Sequence, residues 1–114
     1  MSCQFSTTDK DNVQVSCSHD TWDSHIAGEH LEMVGQQLAV ESTVRDPAYE
    51  YKSGRYPDRR LFYKPFVLPG PFHRTYLLVV VGYRTRDGFS TGSVITAFST
   101  ANMKQGDILI WSKY

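Results

Sequence analysis

Thr75-Tyr76-Leu77-Leu78-Val79-Val80-Val81-Gly82-Tyr83 is the stretch from which the fold of this 114-residue chain is read. Leu77 to Val81 is the longest unbroken apolar run. It has strand length and is mostly β-branched. A strand that is apolar on both sides is buried on both faces, which places Thr75–Tyr83 in the middle of a sheet. After it, Arg84 to Gly92 holds Asp87-Gly88 and Gly92, the residue types of a hairpin turn. Ser93–Ser99 reads as the next strand and Asp107–Trp111 as the last. Before it, Leu68–Phe72 is a proline- and glycine-bearing connection. Leu61–Val67 is a strand, 54–58 is a loop around Pro57, and Tyr49 and Tyr51 alternate.

Upstream of residue 49 the period changes. Asp20 or Thr21 can accept hydrogen bonds from the free N–H groups of a first helical turn, and Asp23 favours its positive end. Trp22 and Ile26 then recur at helical spacing, with Gly28 as a weak point. A second helix is expected over about 35–43, with Leu38, Val34 and Ala39 as its apolar side. Asp46-Pro47 ends it, because proline pushes its predecessor out of the α region. Phe5–Ser18 alternates weakly and reads as a strand or hairpin turning at Lys10-Asp11-Asn12. Helices followed by consecutive strands give an α+β fold. The expectation is one domain over 1–114: a strand or hairpin at 1–19, two short helices within about 20–45, and a twisted antiparallel sheet of four to five strands over about 49–112.

The length suits one domain. Hydrophobic residues make up 40% of the chain, enough for one core. No window approaches the roughly 18 apolar residues that span a bilayer, and the polar start is no signal peptide. Cys3 and Cys17 are the only cysteines and lie far from any His-Cys cluster, so they read as reduced thiols in a cytoplasm. Net charge is zero, but residues 1–50 carry two cations against nine acidic residues (−7), and residues 51–114 carry ten against three (+7). The split implies either an anionic partner for the second half or attraction between the halves.

Three features carry candidate chemistry. In Trp22-Asp-Ser-His25-Ile-Ala-Gly-Glu29-His30, histidine suits acid–base work near neutrality. The His25/His30 spacing is five, about 140° apart on a straight helix, which excludes the His-Glu-x-x-His zinc motif. Solvent-facing or capping histidines are the bland alternative. In Arg55-Tyr-Pro-Asp-Arg59-Arg60-Leu-Phe-Tyr63-Lys64, arginine forks match phosphate oxygens and the interleaved aromatics can stack on bases; a basic edge loop is the alternative. Thr96 is polar within the apolar run Val94–Phe98, and its hydroxyl needs a partner unless it simply faces solvent. There is no glycine-rich phosphate loop and no Gly-x-Ser-x-Gly. The scattered carboxylates of the basic half argue against a two-metal nuclease.

Trp22-x-x-His25-Ile26-x-x-x-His30, Asp46-Pro47, Arg59-Arg60-Leu-Phe-Tyr63, Leu78-Val-Val-Val81, Ile95-Thr96-Ala97-Phe98 and Ile110-Trp111 follow one another in an order that resembles the barnase–RelE-type ribonuclease toxins of bacteria and phages, over roughly residues 20–112. BrnT-like toxins share part of the pattern. Leu31 stands where relatives carry proline after the second histidine. The resemblance implies helices on a curved antiparallel sheet and a metal-free, cofactor-free endoribonuclease acting on RNA. It implies His25 or His30 as helix histidine, Arg60 or Arg59 as the basic strand residue, and Tyr63 and Thr96 on the concave face. Lys64 and Tyr51 would join Arg59 and Tyr63 in holding substrate. A cognate antitoxin is an implied partner. The competing readings are a non-catalytic RNA- or protein-binding module, and an immunity-like protein whose acidic front half masks a basic toxin.

Overall fold

The computed structural model describes residues 3–114. Thr75–Tyr83 extends to β5 (Tyr76–Arg86) and is the central strand of a seven-stranded sheet. The other strands are β1 (Cys3–Thr8), β2 (Gln14–Ser18), β3 (Tyr49–Lys52), β4 (Arg59–Pro65), β6 (Phe89–Thr100) and β7 (Ile108–Ser112), in the order β1-β2-β6-β5-β4-β3-β7. Leu77 to Val81 are all buried, as a two-sided apolar run requires.

The expected four to five antiparallel strands and two helices are corrected here. Strand occupies 45% of the chain and helical conformation 21%. The sheet is mixed, because the N-terminal hairpin β1–β2, which turns at Asn12 with a positive φ, joins it through a parallel pairing of β2 with β6. Residues 14–16 pair with Thr91–Ser93, part of a stretch whose serines, threonines and glycine read as a turn. The actual turn is only Asp87-Gly88, both at positive φ, so β5 and β6 run longer than their apolar cores.

One α-helix forms, α1 (Gln37–Arg45). It buries Val40 and Val44, one turn apart, and leaves Leu38 79% and Val34 60% exposed. The apolar side is therefore Val40/Val44 and not Leu38/Val34. The expected first helix is a single wide turn, Thr21–Ile26, closed by a hydrogen bond from the Ala27 N–H to the Trp22 carbonyl five residues back, at 2.8 Å. It ends at Gly28, where a Cβ would stand 2.5 Å from the Asp23 carbonyl oxygen. Only glycine lets the chain pass so close. A short 3-10 turn, Leu31–Met33, follows.

Alternation along the strands sorts residues onto two unlike faces. One face presents Val15, Cys17, Phe62, Leu77, Val79, Val81, Val94 and Ala97 to Trp22, Ile26, Met33, Val40, Val44 and Leu68 from the helical layer. Each such side chain contributes about 1.5–3 kcal/mol of burial. Burial pushes the Cys17 thiol up to about 12, which leaves it inert. The other face has no helix over it. Leu61, Tyr63, Leu78 and Val80 are covered there by half-buried Tyr49, Tyr51, Tyr76, Ile95, Phe98 and Met103. Tyrosines 49, 51, 63 and 76 pack edge to face at 5.4–6.3 Å, a favoured aromatic geometry.

Candidate phosphate-binding site

A hollow of about 280 Å³ opens on the helix-free face. Its floor is Leu61 of β4, Val80 of β5 and Ile95 of β6; its walls are the β3–β4 loop (Ser53, Arg55, Tyr56), Arg59, Thr96 and the β6–β7 loop (Lys104, Gln105, Asp107).

A bulge makes the floor. Val80 pairs with Thr96 and Val81 with Val94, so Ile95 has no partner in the register. Strict alternation from Val94, which is buried under the helical layer, would send Thr96 to the same side. The extra residue turns Ile95 and Thr96 together onto the open face.

Two loops are locked around this floor. Ser53 Oγ accepts the backbone N–H groups of Arg55 and Tyr56 at 3.2 and 3.1 Å, and the Arg59 N–H bonds the Tyr56 carbonyl. The Gly54 N–H donates to Asp107 Oδ1 at 3.0 Å, tying the two loops together. A side chain at position 54 would strike the Gly106 carbonyl. Tyr63, fully buried, accepts the Lys104 N–H on its hydroxyl at 3.2 Å. Burial raises its phenol, with the Lys104 N–H opposing, so it stays protonated.

The electrostatics of the hollow are one-sided. Arg59 lies over the Tyr56 ring at 4.1 Å and Arg55 at 5.2 Å. Among the described residues, Arg55, Arg59 and Lys104 form no ion pair within 4 Å. Asp107 is the one carboxylate in the wall; its Oδ2 is buried and has no hydrogen-bond partner among the described residues.

The residues singled out from sequence divide between the faces. Arg59 and Thr96 enter the hollow. Tyr63 lies beneath it, and Tyr51 packs on Tyr63 at 5.4 Å. His30 is half-buried and stacks on Phe98 at 5.0 Å, with Lys104 on the same ring at 6.0 Å. Phe98 is two residues beyond Thr96 on the strand and shares its face, about 7 Å away, which brings His30 to the margin of the site. His25 is exposed in the wide turn.

Arg60 and Lys64 point to the other face. Arg60 pairs across the register with Val81 and lies 3.6 Å from Glu50. Lys64 binds Ser42 Oγ at 2.9 Å and Asp46 at 3.3 Å, and Lys113 joins the same carboxylate. Lys113, then Lys64, holds Asp46 below the usual carboxylate range against slight desolvation. The expected convergence of His25, His30, Arg60 and Thr96 on one cleft is thereby corrected: alternation puts Arg60 and Thr96 on opposite sides of the sheet. Sequence reading missed Tyr56 as the stacking platform and missed Lys104 and Asp107 altogether. Their only signal was a loop, Asn102 to Asp107, rich in turn-forming and polar residues.

Arg60 borders a second hollow of about 280 Å³ with Asp9, Asp11, Glu50, Tyr83 and others. There the Tyr83 hydroxyl donates to Asp9 Oδ2 at 2.7 Å. Lys10 Nζ is 3.0 Å from Glu50 Oε1, an ion pair without hydrogen-bond alignment. Burial nevertheless raises the Glu50 carboxyl, because desolvation outweighs Lys10 and Arg60.

Among the described residues no three His, Cys, Asp or Glu side chains gather as a metal site, and no helix is long and apolar enough to cross a membrane. Comparison with protein-family models, with curated proteins and with solved structures finds no match.

Proposed function

We propose that this chain is a metal-independent endoribonuclease of toxin type that engages RNA through the hollow on the helix-free face. The observation that carries the reading is the group of Arg55, Arg59 and Lys104, none paired with an acid, around an apolar floor and beside a stacking ring. Cations held without acidic partners attract phosphate, and an apolar floor strengthens each interaction. Tyr56 and Arg59 offer a platform for a base, a sequence-tolerant contact of about 1–3 kcal/mol in single-strand binding.

The reaction needs one internal displacement. The ribose 2′-oxygen loses its proton and attacks the adjacent phosphorus. The bond to the 5′-oxygen breaks, and that oxygen takes a proton. Arg59 and Lys104 offset the charge growing on the phosphoryl oxygens, the Thr96 hydroxyl donates to one of them, and His30 is the acid–base group at the margin. The products are a 2′,3′-cyclic phosphate and a 5′-hydroxyl. RNA is the substrate because DNA lacks the attacking group, and a cytoplasmic setting follows from that choice.

A second reading is favoured by one placement: Arg60 and His25 stand away from the hollow, as in a module that binds RNA without cutting it. A single assay separates the two. Purified protein is mixed with a single-stranded oligoribonucleotide and its DNA counterpart in EDTA. Cleavage of the RNA alone, ending in cyclic phosphate, supports the nuclease. RNA that is bound but intact assigns the hollow to binding only.

A further inference from the structure

We propose that Asp107 is the general base of this site, the group that takes the proton from the ribose 2′-hydroxyl; the proposal rests on the endoribonuclease reading and names a residue for a step that reading leaves unassigned. Three features of the hollow lead there. Asp107 is its only carboxylate, on the wall shared with Lys104 and Gln105 and across the floor from Thr96. Its two oxygens are unequal. Oδ1 is held by the Gly54 N–H at 3.0 Å, which fixes the carboxyl group. Oδ2 is buried and has no donor among the described residues. An acceptor shut from water without a donor costs about 1–3 kcal/mol, a cost that a hydroxyl entering the hollow would remove.

The anchoring is also what a base needs. A carboxylate fixed at one oxygen by a rigid backbone N–H presents the other in a constant direction, and positioning supplies much of the rate in an internal displacement. The close passage of Gly54 against Gly106 keeps the two loops in register. Arg55, Arg59 and Lys104 bring the phosphate to the same hollow, so the 2′-hydroxyl of the nucleotide on its 3′-oxygen side arrives with it.

The proton balance closes. The 2′-O–H bond breaks and its proton passes to Asp107 Oδ2, while the 2′-oxygen forms a bond to phosphorus. The bond from phosphorus to the 5′-oxygen breaks, and that oxygen receives a proton from His30 on the Phe98 side. Asp107 leaves the step protonated and His30 deprotonated, and exchange with water restores both.

The test uses the full chain and a synthetic single-stranded oligoribonucleotide, with its 2′-O-methyl form as an uncleavable probe of binding. Asp107→Asn keeps an oxygen for the Gly54 N–H but no longer takes a proton. Asp107→Ser is the second variant, in case the first does not fold. We expect cleavage to fall by about 100-fold or more while binding of the 2′-O-methyl probe stays within about threefold, and added formate to restore part of the rate in Asp107→Ser. A folded variant that cleaves at the parental rate overturns the proposal. So does one that keeps the rate and changes which base is cut beside, which would make Asp107 a reader of bases. A parent that binds the probe but leaves RNA intact instead refutes the nuclease reading itself.

Discussion

The two hollows of about 280 Å³ lie on opposite faces of one sheet, and consecutive residues of β4 serve them: Arg59 the one, Arg60 the other. Their chemistry is opposite. Around Arg60 stand Asp9, Asp11 and Glu50, and the guanidinium is used up within the fold. Around Arg59 stand Arg55 and Lys104 with only Asp107 against them. The −7 and +7 halves of the sequence thus do both things their asymmetry allows. Glu50 with Arg60, and Asp46 with Lys64 and Lys113, are attractions between the halves. Arg55, Arg59 and Lys104 are the part of the surplus left over, and they are gathered in one place.

Exchanging alanine for each arginine gives the largest expected contrast. Arg59→Ala removes a cation from the phosphate side, and cleavage should fall about 100-fold, the usual scale for one stabiliser of transition-state charge. Arg60→Ala should leave the rate within about twofold. It should instead lower stability by about 1–2 kcal/mol in urea unfolding, because Glu50, only 5% exposed, loses a partner. Equal loss of cleavage in both variants would mean that the faces do not work separately.

The histidines sharpen the same comparison with a smaller effect. His30 rests on Phe98, the ring that Lys104 also approaches, whereas His25 stands exposed in the wide turn. His30→Ala should cost about 10- to 100-fold in cleavage, within reach of one acid–base group. His25→Ala should cost nothing measurable in rate or in melting temperature. A rate loss confined to His25→Ala would move the acid to the helical layer and detach His30 from the chemistry.

How much of this was legible in the sequence follows from range. The central strand was, since Leu77–Val81 states burial on both faces by itself. So were the Asn12 turn and the stop at Pro47, both local. The wide turn at Thr21–Ile26 was not. Trp22 and Ile26 keep helical spacing, and the obstacle is a contact between Gly28 and the Asp23 carbonyl that spacing does not reveal. The sheet's true width was hidden in Phe89-Ser90-Thr91-Gly92-Ser93, polar residues that are strand only because β5 on one side and β2 on the other give their backbone partners. Of the site, Thr96 was noticed for its polarity, but its direction depends on the bulge at Ile95. Arg59 and Arg60 could not be ranked until alternation had a fixed origin. Asp107 carries no local mark, because its role depends on Gly54, more than fifty residues away.

The smallest expected effect concerns the margin between the two faces, where β6 runs past its pairing with β2. There the Glu32 carboxylate accepts the Ser99 N–H at 3.1 Å and the Ser99 hydroxyl at 3.0 Å, guarding a stretch of strand edge that would otherwise offer free N–H groups. Burial pushes the Glu32 carboxyl up, but the Ser99 donors and nearby His30 outweigh it and hold it below its ordinary value. A carboxyl lowered on folding stabilises the protein above its unfolded pKa, and that stability is lost as pH falls through the folded one. Urea unfolding of the parent should therefore lose part of its stability on acidification through and below the ordinary Glu range. Glu32→Gln should be about 0.5–1 kcal/mol less stable near neutrality, with the gap closing at low pH. If the gap is the same at every pH, the contribution of Glu32 is packing, and the edge of β6 is held closed by the Phe98–His30 stack instead.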